Sequence, residues 1–208
     1  MYLKQGNAAE KVNSWFQRLG EFRGRKNVRG LKAGTENAVL IVIDLQRYFT
    51  HPDSHAFVPS SGVVIENINK IIPSFRTVVY TRHIDREDSG MLKWWGRGLF
   101  EGDNLSGIDP RIKVEGMVVS KSTYSAFYKT ELESFLERHL VKRVYITGLL
   151  TNLCCETTAR DAFVRGYEVF FVADATATYT EELHLATLLN LSHGFAYIVS
   201  ADEVMGVG

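Results

Sequence analysis

Short, unbroken apolar runs recur along the chain: AVLIVID at 38–44, TVVYT at 77–81, MVVSK at 117–121, RVYITG at 143–148, EVFFVAD at 168–174 and AYIVS at 196–200. A strand wetted on one face alternates apolar and polar residues. Continuous apolar runs are expected of parallel strands covered on both faces. Between the runs the spacing becomes helical. Residues 62–75 repeat apolar groups at Val64, Ile65, Ile68, Ile71, Ile72 and Phe75, and 181–193 place Leu185, Leu188, Leu189 and His193 along one side. Thr130 with Glu133, and Ser200 with Glu203, have the spacing of capping boxes that start helices.

Strand–helix alternation predicts an α/β domain, a parallel sheet with right-handed crossovers and helices on both faces. Two segments stand outside this pattern. Residues 8–23 carry Val12, Trp15, Phe16, Leu19 and Phe22 on one helical face, and Gly24 with Arg23, Arg25 and Lys26 marks its end. This predicts a helical arm over 1–37 ahead of a domain at 38–208. The arm packs either on its own domain or on a neighbouring subunit. The second segment, 82–116, lacks clean periodicity and holds Gly90, Gly96, Gly98, Gly102, Gly107 and Pro110. A connection that long commonly serves a site as lid or binding loop.

Composition narrows the class. With 208 residues, 45% of them hydrophobic, the chain can bury one sizeable core. Basic and acidic residues balance at 24 each, so a nucleic-acid or membrane-surface partner is not expected. The two cysteines, Cys154 and Cys155, are adjacent, which disfavours a disulfide and fits a reducing compartment. The amino terminus has no apolar run of the signal-peptide kind, and no run of about 18 apolar residues appears. The expectation is a cytoplasmic protein.

In an open parallel sheet, ligands bind beyond the carboxyl ends of the strands. The first strand ends in Asp44, the third in Lys121, and the fourth runs through Thr147–Gly148 into a loop reaching Cys154. Each residue alone is compatible with a cap, a solvated amine or a packed thiol. Together they place an acid, an amine and a thiol at one sheet edge. If Lys121 lies two strands from Asp44, the gap is roughly 10 Å, which only a long side chain spans. A thiol at the start of the helix after TGLLTN would feel the positive end of the helix dipole and be favoured as thiolate, the nucleophilic form.

Three motifs, AVLIVIDLQRYF, KSTYSAFYKTELESFL and ITGLLTNLCCETTARDAFVRGYEVFFVADATAT, resemble the isochorismatase-like hydrolases, a superfamily that includes nicotinamidases, N-carbamoylsarcosine amidohydrolases and isochorismatases. The likeness runs from about Ala38 to Val204. It implies a three-layer Rossmann-like fold with six strands in order 3-2-1-4-5-6. It also implies an Asp44–Lys121–Cys154 catalytic set, Cys154 being the cysteine that stands four residues before Thr158 and seven before Asp161. It further implies a cis peptide at Leu149–Leu150 and an oxyanion site made by the Leu150 and Cys154 N–H groups. Family members are often oligomeric, so a homodimer or homotetramer is expected.

The expected reaction is hydrolysis of a C–N bond in a small amide or ureido substrate through a thioester. The branch nearest in DLQRYF and YSAF is that of isochorismatases, which carry no nucleophile where this chain has Cys154. The alternatives are therefore vinyl-ether hydrolysis with Asp44 as general acid, and a catalytically silent interaction protein that keeps the fold. Gln46, Phe49, His83, Trp94, Trp95 and Tyr124 are the expected substrate-binding residues. No cofactor and no metal are expected, because the Asp-x-His ligand pattern of nicotinamidases is reversed here in His83 and Asp85. His51 and Asp53 are the other residues from which a metal ligand would come.

Overall fold

The computed structural model describes residues 1–23 and 34–206, with side chains over 1–20 and 34–206. Among the described residues the strands are β1 (Ala38–Ile43), β2 (Val78–His83), β3 (Met117–Lys121), β4 (Arg143–Leu149), β5 (Glu168–Ala177) and β6 (Tyr197–Val199). They form one parallel sheet in the order β3-β2-β1-β4-β5-β6. The helices are α1 (Ala8–Arg23), α2 (Arg47–Thr50), α3 (Ser61–Ile71), α4 (Gly90–Trp95), α5 (Leu132–Arg138), α6 (Glu156–Val164), α7 (Glu181–Gly194) and α8 (Ala201–Met205).

The two sheet faces carry separate cores. Val39, Ile41 and Ile43 of β1 pack with Leu132 and Leu136 of α5, Ala162 of α6 and Leu188 and Leu191 of α7. Leu40 and Val42, one residue out of phase, pack with Val64 and Ile68 of α3 and Val204 of α8. Side chains alternate between faces along a strand, so a sheet covered on both sides needs apolar residues at every position. That is why the strand runs are unbroken.

At the end of β4 the backbone of Gly148 turns to φ +111°. A Cβ there would lie 2.0 Å from the Ile43 carbonyl oxygen, so only glycine lets β4 approach β1 this closely. The chain then enters the turn that carries both cysteines, and the Leu149–Leu150 peptide is cis.

Some local expectations change. Ser200 and Glu203 form the expected capping box on α8. Thr130 and Glu133 do not: the Thr130 hydroxyl donates to the Ala126 carbonyl and accepts from the Leu132 N–H. Glu133 instead pairs with Arg165 at 3.2 Å, an α6-side partner that local spacing does not reveal. β2 continues through His83 and β5 through Ala177, beyond the ends of their apolar runs. The 82–116 connection is not structureless, since α4 forms within it, started by the Ser89 hydroxyl and ended by left-handed Gly96.

The apolar face of α1 is used within the same chain. Val12, Trp15 and Leu19 are buried, and Trp15 packs at a tilt against His184 of α7, 4.5 Å between ring centroids. Trp15 Nε1 donates to Glu181 at 2.9 Å, and Lys11 pairs with the same carboxylate at 2.6 Å. Burying such an aromatic side chain contributes on the order of 1.5–3 kcal/mol. Of the two packings open to the arm, the structure takes its own domain, so this face does not call for a neighbouring subunit. Phe22 and the stop signal at Arg23–Lys26 lie outside the described side chains.

His184 is fully buried there, and burial pushes its imidazole down to about 3, so the folded protein holds it neutral. The unfolded chain gains a proton on this residue below its ordinary value of about 6.5. The stabilisation is therefore complete above that pH and is lost as pH falls towards 3. Its slope is about 1.4 kcal/mol per pH unit, or about 2 kcal/mol between pH 6.5 and 5. Urea unfolding at the two pH values is expected to show this loss in the parent and a smaller one in His184→Gln. Equal losses in both would place the acid sensitivity elsewhere.

Candidate active site

β1, β3 and the turn after β4 deliver the three expected groups to one point. Lys121, at the end of β3, lies two strands from Asp44, as its reach requires. Its ammonium is 2.7 Å from Asp44 Oδ2 and 3.4 Å from Cys154 Sγ, and donates to the Thr123 carbonyl at 2.9 Å. The ammonium thus has one ion-pair partner and two hydrogen-bond acceptors. Neither side chain of the Asp44–Lys121 pair is exposed to solvent.

Asp44 is held by the neighbouring strand. Its backbone sits in the left-handed region at φ +49°, uncommon for a residue with a side chain. Its N–H donates to Thr81 Oγ1 at 3.1 Å, while the Thr81 hydroxyl donates to Asp44 Oδ1 at 2.5 Å. Thr81 was not among the sequence candidates. The signal was available, since it ends the TVVYT run beside Asp44's strand, but a hydroxyl there reads as ordinary strand composition.

The thiol differs from expectation. Cys154 lies within a π-helical turn, Thr151–Cys155, and α6 starts only at Glu156. Burial pushes its thiol up to about 12; the Lys121 ammonium pulls it down, and the Asp44 carboxylate pushes it up again. At neutral pH the resting group is thus a thiol beside an ion pair, rather than a dipole-stabilised thiolate. A carboxylate able to accept its proton, Asp44, belongs to that pair. Lys121 itself is held above the usual amine range: burial opposes its charge, but Asp44 and Cys154 outweigh that. Cys155 is fully buried, faces the Thr147 carbonyl and is raised further by burial, which suits a packing thiol.

Cys154 opens into a cavity of about 220 Å³. Of the expected substrate-binding residues, Phe49, His83, Trp95 and Tyr124 line it. Trp95 Nε1 donates to the Tyr124 hydroxyl at 3.0 Å, joining α4 to the loop after β3. Two expected residues are placed elsewhere. Trp94 points outward, 78% exposed. Gln46 does not line the cavity; its amide accepts from the His83 N–H and donates to the carbonyls of His83 and Ser106. It ties the ends of β1 and β2 to the long loop. Gln46→Ala leaves these buried groups without partners and is expected to cost about 1–3 kcal/mol of stability. A melting temperature unchanged from the parent would show the tie to be dispensable.

Sequence reading did not pick out Tyr48, His55, Leu153 and Tyr179 as pocket residues. Tyr48 and Leu153 are immediate neighbours of chosen residues. Tyr179 follows the end of β5, which the strand-end rule also covers.

His83 and Asp85 both reach the cavity wall, with His83 Nε2 3.1 Å from Asp85 Oδ1. Burial would raise the Asp85 carboxyl, but bonds from His83 and the Leu99 N–H outweigh it and hold it below the usual carboxylate range. His51 lines a different surface groove, with Asp53 3.9 Å away and mostly exposed. Among the described residues, no three His, Cys, Asp or Glu side chains converge as a protein-bound cation requires.

The Isochorismatase domain model matches residues 38–203. Nicotinamidase 3 of Arabidopsis thaliana is 43% identical over 175 residues, covering 80% of this chain and 86% of that protein. Among solved structures, a cysteine hydrolase from Pseudomonas syringae pv. phaseolicola superposes with a TM-score of 0.82 at 25% identity, covering 88% of this chain and 97% of that one. N-carbamoylsarcosine amidase from Thermoplasma acidophilum superposes at 0.72 with 27% identity, covering 79% and 96%.

Proposed function

Since the chain belongs to the isochorismatase family of hydrolases, whose model spans its residues 38–203, we propose that it is a cysteine amidohydrolase that releases ammonia from small ring amides. The observation that carries this reading is the Lys121 ammonium, shared between Asp44 at 2.7 Å and Cys154 at 3.4 Å on the wall of the cavity.

Asp44 takes the Cys154 proton as the sulfur attacks the amide carbonyl. The resulting oxyanion is met by the Leu150 and Cys154 N–H groups, a preorganised donor pair of the kind that stabilises such charge. Asp44 then returns the proton to the leaving nitrogen, ammonia departs, and a thioester to Cys154 remains. Water attacks the thioester with Asp44 again as base, yielding the carboxylic acid and the free thiol. Lys121 keeps Asp44 ionised and placed, and offsets negative charge on sulfur.

The pocket walls support a flat, apolar substrate body. Phe49, Trp95, Tyr124, Leu150 and Leu153 surround the thiol, with His83 and Asp85 as buried polar groups on the same wall. Nicotinamide is the first substrate to test, given the 43% identity to a nicotinamidase. Ammonia release should be followed with nicotinamide, other ring amides and N-carbamoyl amino acids. Turnover of nicotinamide above the others is the expected result. Ammonia from none of them, together with turnover of a vinyl ether, would overturn the reading.

The reading includes a cytoplasmic setting, in keeping with two unpaired thiols. Among the described residues no helix is long and apolar enough to cross a membrane. It also includes a homo-oligomer, a dimer or tetramer, since Trp94 and Trp95 leave apolar surface exposed at the cavity mouth. Sedimentation at micromolar concentration tests this, and a monomer would refute it.

A further inference from the structure

The amino-terminal segment outside the family model reaches the nucleophile turn by two parallel lines of contact. In the first, the ring of Trp15 of α1 packs at a tilt against His184 of α7, 4.5 Å between centroids, and His184 Nδ1 lies 2.9 Å from the hydroxyl of Thr151, the first residue of the turn. In the second, the Tyr2 hydroxyl accepts the Thr178 N–H at 3.2 Å, and the Thr178 hydroxyl donates to the Asn152 side chain at 2.7 Å. Tyr2 also packs on His184 at 5.6 Å. Two successive residues of the turn are therefore anchored to elements that the arm covers, two and three positions before Cys154. His184, Thr151 and Trp15 are all at most 1% exposed, and His184 Nε2 has no partner.

We propose that the amino-terminal arm is a positioning element of the active site, in which Trp15 seals His184 so that His184 and Thr151 hold the Thr151–Cys155 turn and keep the Cys154 sulfur in register with Lys121. This rests on the reading of Cys154 as nucleophile. The groups facing the His184 ring are few. Glu181 lies on α7 itself, bound by Lys11 and Trp15 of α1; Tyr2 comes from the amino-terminal segment, and the turn supplies neutral Thr151. The Glu181 carboxylate favours an imidazolium, but burial of the ring outweighs it and Nε2 has no hydrogen-bond partner, so the device works only while water is kept from the ring. If the seal is opened, His184 regains its ordinary titration near pH 6.5. Protonation would then change the bond to Thr151 and displace the turn.

The test compares Trp15→Ala, Trp15→Phe and Thr151→Val with the parent between pH 5.5 and 8.5. It reads kcat and KM for ammonia release from nicotinamide, and the rate of iodoacetamide modification at Cys154 by mass spectrometry. Trp15→Ala is expected to lower kcat about tenfold or more with KM nearly unchanged, as a small misplacement of a reacting group does. It should also gain an acid limb near pH 6.5, in both turnover and alkylation, that the parent lacks. Trp15→Phe, which keeps a ring on His184, is expected to recover most of kcat and lose the limb. A folded Trp15→Ala protein with the parent's kcat and pH profile would overturn the proposal. If Trp15→Ala does not fold, Thr151→Val decides: a lowered kcat at unchanged KM supports the proposal, and the parent's kcat refutes it. If the parent releases no ammonia from any amide, the amidase reading fails, and the alkylation profiles still decide the arm's role.

Discussion

Cys154→Ala is expected to reduce amide hydrolysis by at least about 10³-fold, because it removes the atom that forms the covalent intermediate. Cys155→Ala is expected to keep most of the activity. The two thiols are neighbours in sequence, yet only Cys154 meets the Lys121 ammonium and lines the cavity, while Cys155 is packed beneath the sheet. The stability change should run the other way: Cys155→Ala leaves a small void in a fully buried position, and the cavity at Cys154 already exists. Single-turnover ammonia release and the melting temperature of each variant check both statements. A dead Cys155→Ala protein with an active Cys154→Ala protein would show the register to be wrong. Full activity of Cys154→Ala on a vinyl ether would favour general-acid chemistry by Asp44 with a bystander thiol.

The second large effect concerns the buried pair. Lys121→Ala leaves Asp44 without a counter-charge in a site closed to water, and Asp44→Asn leaves Lys121 likewise. Breaking such a pair from one side costs about 3–5 kcal/mol, whereas replacing both partners is far milder. Each single variant is therefore expected to melt on the order of 10 °C below the parent, and Asp44→Asn with Lys121→Met to melt above either single variant. Both single variants should lose turnover almost completely. Their thiols, however, should respond with opposite signs. Asp44 pushes the Cys154 thiol up and Lys121 pulls it down. At neutral pH, iodoacetamide should modify Cys154 faster than the parent in Asp44→Asn and slower in Lys121→Ala. A dead enzyme with a more reactive thiol separates the role of Asp44 as proton carrier from simple activation of sulfur. Slower alkylation in both variants would mean that Asp44 activates the resting thiol directly.

Much of the fold, and the meeting of three side chains at the candidate site, was legible in the chain itself. Apolar runs without alternation require two covered faces, and a parallel sheet is the arrangement that supplies them. Asp44, Lys121 and Cys154 could be named because strand ends share one edge, so a residue's place in sequence gives its place in space. The N-terminal helix was equally readable, since Val12, Trp15 and Leu19 follow the helical period.

Tertiary structure decided what depends on neighbours distant in sequence. The state of the Cys154 thiol was read as thiolate from a helix start, but burial against a carboxylate holds it protonated, and burial is set by the packing around it. Thr130 had the spacing of a cap, yet Ala126 and Arg165 drew its box apart. Gln46 and Trp94 had the chemistry of pocket residues; a loop 60 residues away took the Gln46 amide, and the turn of α4 aimed Trp94 outward while Trp95 faced in. The face of α1 showed that it must be buried but carried no mark of where. Only the pairing of Trp15 and Lys11 with Glu181, some 170 positions away, placed it on α7 and so within reach of the turn that holds Cys154. Periodicity reports local geometry, whereas the partner of a buried polar group is chosen by the whole fold, because desolvation acts on whatever the packing brings together.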